Sequence, residues 1–266
     1  MTVKSRHPKD LMTVVIERQN KQRRRIKNPN KQDETKVKSN KKDSKTLVWK
    51  IENTRIAAKV QMTEKVSPIF EEDEYSKEIS IYMKTLEMKY LPNPNYIDFQ
   101  CFPWSTRKSL INWLVDIHAK YKLLPETLFL CVHLIDRLLS KQQVHVSELR
   151  LVGITTLLIA AKFEEHQHLP INMLVNDIDI FAAEEHIRKT ERDILHQLDF
   201  GLTWPGPIYF LKRCCEADKN NLQMSTLAQY LIELTLIDER LLKWPSSQIA
   251  AVGYLVAMNL MQQNKW

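Results

Sequence analysis

From Leu149 to Glu165 the chain reads LRLVGITTLLIAAKFEE, and between Leu151 and Ala161 no side chain carries a charge. Leu151, Ile154, Leu157, Leu158, Ile159, Ala160 and Ala161 cover every side of a helix drawn through that run. A helix that is apolar all round must be enclosed by other elements. At about 11 residues the run is far shorter than the ~20 needed to span a bilayer, so it reads as the central helix of an all-α bundle. It ends abruptly in Lys162, Phe163, Glu164 and Glu165. The most buried helix thus delivers a lysine to the surface.

Four glycines among 266 residues are few, and helical periodicity dominates, which supports the all-α class. The formal charge of +7 conceals an asymmetry. Residues 1–60 hold 18 Lys+Arg against 6 Asp+Glu, whereas residues 61–266 hold 21 against 26. A mildly acidic globule therefore carries a basic tail. Cys101, Cys131, Cys214 and Cys215 fit neither a disulfide framework nor a CxxC metal spacing, and the chain opens without an apolar signal segment, so an intracellular protein is expected.

Apart from LMTVVI (11–16) and TLVW (46–49), the tail has little to bury, and disorder is expected over residues 1–66. The run KQRRRIK (21–27), with Arg23, Arg24 and Arg25 at its centre, has the character of a nuclear import signal; the plain alternative is a solvated spacer. Specific nucleic-acid binding is not expected, because no aromatic residues interleave with the charges. Ser67-Pro68 offers a proline-directed phosphate acceptor.

In the globule, EYSKEISIYMKTLEMKY (74–90) sets Tyr75, Ile79, Tyr82 and Met83 at helical spacing before two prolines break the helix. Ser105 is a candidate N-cap for a helix to about Tyr121, with Leu110, Leu114, Ile117 and Tyr121 as its core stripe. Thr106, Ser109, Trp113 and Asp116 roll away on its flank; Trp113 there is either the core's edge or a groove floor. A second helix starts at Pro125, where a missing N–H costs little. Asp136 sits inside its apolar run and needs a buried cation, for which Arg107 is the nearby candidate. Past Pro170 come a short helix near Ile171–Val175 and another from about Ala183 to Leu198, stopped by Gly201. Its stripe is Ile187, Ile194, Leu195 and Leu198, with Glu191 on the same face demanding a partner.

The chain then repeats itself. Thr127-Leu128 recurs as Thr226-Leu227, Ile135-Asp136 as Ile237-Asp238, and Val152-Gly153 as Val252-Gly253. The order of helix, loop and alanine-rich helix predicts tandem five-helix repeats, the second incomplete.

At TRKSLINWLVDIHAKYKLLPETLFLCVHLIDRLLS, LRLVGITTLLIAAKFEE and ERDILHQLDF the sequence resembles a cyclin box. PNPNYIDFQ, PGPIYFLKRCCEAD and TLAQYLIELTLIDERLLKWPSSQIAA extend the resemblance to the B-type mitotic cyclins, those of fungi in particular, over roughly residues 72–266. The resemblance implies a basic tail (1–66), an N-terminal helix and connecting segment (67–100), a first cyclin box (101–200) and a partial second (201–266). It implies a regulatory subunit that binds and activates a cyclin-dependent protein kinase at the onset of mitosis, acting in nucleus and cytoplasm.

Carried over by position, Arg107 and Asp136 match the family's buried ion pair, Leu151 its core leucine, and Lys162 and Glu191 its kinase-contacting pair. Tyr75, Ile79, Phe163, Leu195, Phe200 and Leu202 match positions lining the kinase interface. Thr106, Ser109, Leu110, Trp113, Asp116, Leu149 and Arg150 match a groove that docks substrate and inhibitor peptides. The family usually has Met at Thr106, an apolar residue at Ser109 and often Gln at Arg150, so weakened or altered docking is expected. The tail holds no R-x-x-L or K-E-N; the R-x-x-L matches, from Arg107 and Arg192, lie in helices.

An enzyme is the weakest reading. There is no His-Glu-x-x-His, no glycine-rich phosphate loop and no Ser/His/Asp grouping, so no cofactor is expected. His166 and His168 stand two apart, a spacing that does not share a helix face, so no metal is expected either. The runner-up is a cyclin-fold adaptor in transcription or scaffolding whose basic tail touches nucleic acid.

Overall fold

A computed structural model describes residues 75–167, 169–175, 184–217 and 222–263, and among these every regular element is helical. In chain order α1 is Ser76–Lys89, α2 Trp104–Tyr121, α3 Pro125–Lys141, α4 Leu149–Glu164, α5 Ile171–Val175, α6 Glu184–Gln197, α7 Pro207–Ala217, α8 Leu222–Glu233 and α9 Ser246–Gln263. Helices α2 to α6 form the first repeat, and α7 to α9 follow the order of α2 to α4. The readings made on residues 1–66, including Arg23, Arg24 and Arg25, and on Ser67-Pro68 lie outside the described residues.

Two helices, not one, are enclosed on all sides. In α4 every residue from Val152 to Ala161 is buried; in α3 so is every residue from Thr127 to Leu139. One face of α3, with Leu130, Cys131, Leu134, Ile135 and Leu138, joins α4 in the main core. Its other side meets the second repeat: Phe129 packs with Ile208, Phe210, Ala228 and Ile232, and Leu128 and Val132 with Leu236 and Ile237. The second repeat thus covers the side of α3 that faces away from α4. Each fully buried Leu or Ile stabilises the fold by about 1.5–3 kcal/mol relative to exposure.

The helices meet closely where glycine permits it. A Cβ on Gly153 would stand 3.0 Å from Leu110 Cδ1 of α2, and one on Gly253 only 2.6 Å from Ile232 Cγ1 of α8. Loops are fixed by side chains from afar. Glu165 Oε1 accepts from Leu124 N and Thr127 Oγ1, both at 2.6 Å, and so caps α3. Glu87 of α1 accepts from Ser247 N and Oγ, both at 2.8 Å, capping α9 and tying the N-terminal helix to the second repeat. Buried Gln100 bonds Leu139 O, Gln142 O and Val144 N, which satisfies the α3–α4 connection.

Two helix ends differ from expectation. Ser105 is not the N-cap of α2: the helix begins at Trp104 behind Pro103, whose extended backbone (φ −83, ψ 167) turns its carbonyl to accept from Thr106 N. Gly201 does not adopt a left-handed stop after α6. Asp199 (φ 52) and Phe200 (φ 54) do, while Gly201 is required by space, since a Cβ there would lie 2.9 Å from the Tyr90 ring.

Candidate functional site

Lys162 emerges in the last turn of α4, where a cation also suits the helix dipole. Its Nζ donates to both carboxylate oxygens of Glu191 in α6, at 2.6 and 2.9 Å. The Lys162 side chain is 40% exposed and that of Glu191 14%. A pair this wet contributes about 0–1 kcal/mol, so opening it is cheap. Phe163, next in the chain, is 47% exposed, and Phe200, at the turn after α6, is 61% exposed. Leu195, one turn beyond Glu191, and Leu202 are half-buried against the main core. At the far end of the set, Tyr75 is 65% exposed and Ile79 half-buried on α1. The fully buried residues of α1 are Leu86 and Glu87, and the stripe divides: Ile79 and Met83 are half-buried, Met83 against the core of the second repeat, whereas Tyr75 and Tyr82 are exposed.

The groove candidates separate. Leu110 and Leu149 belong to the core, at 5% and 3% exposure, whereas Trp113 and Thr106 are half-buried and Ser109, Asp116 and Arg150 exposed. The Arg150 guanidinium lies over the Trp113 ring, 5.7 Å from its centroid. Ser109 Oγ is turned back to Ser105 O at 3.0 Å. The one large apolar surface among these residues is therefore shared with a cation.

Behind both faces, Arg107 grips Asp136 in two bonds of 2.7 Å, Nε to Oδ1 and Nη2 to Oδ2, with both side chains almost fully buried. Tyr96 Oη donates to Asp136 Oδ1 at 2.8 Å, and Arg107 Nη1 donates to Leu236 O at 3.1 Å in the second repeat. Burial, then the Asp136 carboxylate, pushes the Tyr96 phenol far above its ordinary range. Burial alone would pull Arg107 down, but Asp136 holds it above its usual value. This is a structural knot that ties the first repeat to the second. Among the described residues no group of three or more His, Cys, Asp or Glu stands ready for a metal, and no helix is long and apolar enough to cross a membrane.

The family model for the cyclin N-terminal domain matches residues 78–203, and that for the cyclin C-terminal domain matches residues 205–266. The chain belongs to the cyclin family. It is similar to G2/mitotic-specific cyclin-3 of Saccharomyces cerevisiae, with 43% identity over 194 residues, 73% of this chain and 45% of that one. It is 40% identical to G2/mitotic-specific cyclin-B of Emericella nidulans over 73% of this chain and 41% of that one. The chain thus spans less than half the length of these curated relatives. In fold it resembles a viral cyclin from herpesvirus saimiri, with a TM-score of 0.63 over 70% of this chain and 83% of that one, at 21% identity.

Within this cyclin, sequence reasoning missed Tyr96, Tyr90 and Arg137. Arg137 Nη1 donates to Gly201 O at 2.6 Å, and its guanidinium lies 4.3 Å from the Tyr90 ring centroid. The signal for Arg137 was present: a second ion beside Asp136 in an apolar run also demands a partner. No local pattern marks the two tyrosines.

Proposed function

We propose that this cyclin chain is a regulatory, non-catalytic subunit that binds a cyclin-dependent protein kinase and activates it at the onset of mitosis. The observation that carries the reading is Lys162 with Glu191: two charges held at the end of an enclosed helix and on the core stripe of its neighbour, with Phe163 next in the chain exposed and Phe200 exposed at the turn that ends α6. Similarity to relatives described as G2/mitotic-specific cyclins supports it. The pair offers donors and acceptors to the backbone of a kinase helix, and the aromatic rings offer apolar area. If that helix must swing inward to complete the kinase site, binding only the inward state shifts the kinase population toward activity. Leu195, Leu202, Tyr75 and Ile79 extend the contact. Substrate and inhibitor peptides dock between Thr106, Trp113 and Arg150, and the basic run around Arg23, Arg24 and Arg25 directs the protein into the nucleus from the cytoplasm.

Adding the purified chain to a purified, inactive cyclin-dependent kinase tests the reading. Histone phosphorylation should rise with chain concentration and saturate. A kinase that stays inactive and unbound at micromolar chain would exclude it, and DNA binding with a steep salt dependence in its place would point to the adaptor.

A further inference from the structure

We infer that Arg137 and Tyr90, packed against each other behind the turn after α6, are positioning residues that hold Phe200 out as a rigid aromatic contact for the kinase; the inference rests on the kinase-activating reading above. Helix α6 ends on two successive residues in left-handed backbone, Asp199 (φ 52) and Phe200 (φ 54). Asp tolerates that region; a bulky residue rarely adopts it. The Phe200 ring gains no burial in return, being 61% exposed with His196 edge-on at 5.4 Å. The strained backbone is therefore not repaid by packing of the ring within the chain.

The turn is held from outside. Arg137, only 7% exposed, donates to Gly201 O at 2.6 Å and lies against Tyr90. The Tyr90 ring fills the space a Gly201 side chain would need. Lys141, one turn beyond Arg137, donates to Gln197 O at 2.7 Å and to Asp199 Oδ2 at 3.2 Å. Inside the turn, Phe200 N donates to Leu195 O at 3.0 Å and Leu202 N to Phe200 O at 2.9 Å. Helices α1 and α3 thus fix the backbone on either side of Phe200 and leave its ring the free end.

The test is a double-mutant cycle on kinase affinity, with thermal melts of the free chain alongside. Arg137→Gln should weaken kinase binding about tenfold in the wild-type background and far less in the Phe200→Ala background, because the two substitutions remove one contact. Phe200→Asn should raise the melting midpoint of the free chain, since Asn tolerates the left-handed region, while lowering kinase affinity. If Arg137→Gln does not fold, Tyr90→Leu replaces it in the same cycle with the same expected coupling. A loss from Arg137→Gln that is equal in both backgrounds, or no loss at all, overturns the positioning role while wild-type binding stands. Wild-type chain that does not bind the kinase overturns the kinase reading and this role together.

Discussion

Asp136 accepts from Arg107 and Tyr96 with both charged side chains almost fully buried, so removing the carboxylate strands a guanidinium in the core. Asp136→Ala should cost about 3–5 kcal/mol of stability in urea unfolding, and Arg107→Met with Asp136→Leu should recover most of it. A double variant as weak as the single one would contradict this account of the knot. His118 and His133 make a second prediction. Burial holds both rings below the ordinary imidazole range, with Arg137 adding to the effect at His133 and Leu124 O, Glu165 and Glu126 opposing it at His118. The unfolded chain therefore takes up protons first. Their stability contribution is full above about pH 6.5 and declines as pH falls below it, by up to about 1.4 kcal/mol per pH unit for each ring. Urea midpoints that stay level from pH 7 to 5.5 would oppose that assignment. The Arg107–Asp136 pairing was legible because a carboxylate in an apolar run demands a cation. Tyr96 was not, for its bond to Asp136 spans 40 residues and leaves no local trace.

At the scale of elements, α4 announced itself because its own side chains are apolar on all sides. Helix α3 did not, since one of its sides is covered only by α7, α8 and the turn at Leu234–Ile237, and its Thr127, Asp136 and Arg137 find partners far along the chain in Glu165, Arg107 and Gly201. The end of α6 misled for a similar reason: Gly201 signals a left-handed stop, but Tyr90 from another helix, not backbone conformation, demands the glycine. Between α2 and α4, Arg150 over Trp113 carries a prediction on docking. A basic, leucine-bearing R-x-L peptide should bind weakly, and Arg150→Gln should tighten it about tenfold by uncovering the ring and removing like-charge repulsion. Equal affinities in a fluorescence titration would show that Arg150 does not guard the groove.

Among the described residues the helices present the Lys162–Glu191 pair together with exposed Phe163 and Phe200, and the basic run of the sequence lies outside the described residues. Replacing Arg23, Arg24 and Arg25 with Ala should move a fluorescent fusion toward the cytoplasm without changing the melting midpoint; an unmoved fusion rules out the import role. The central claim is that Lys162 and Glu191, paired in the free chain, re-pair with a kinase. Charge-assisted bonds of this kind contribute about 1.5–3 kcal/mol each, so losing both should weaken binding about a hundredfold or more. The most direct measurement is a calorimetric titration of a cyclin-dependent kinase with wild-type chain and with Lys162→Ala combined with Glu191→Ala, beside a circular-dichroism melt of each. The account predicts that the variant stays folded and its kinase affinity falls by about two orders of magnitude; a folded variant that binds as tightly as wild type would contradict it.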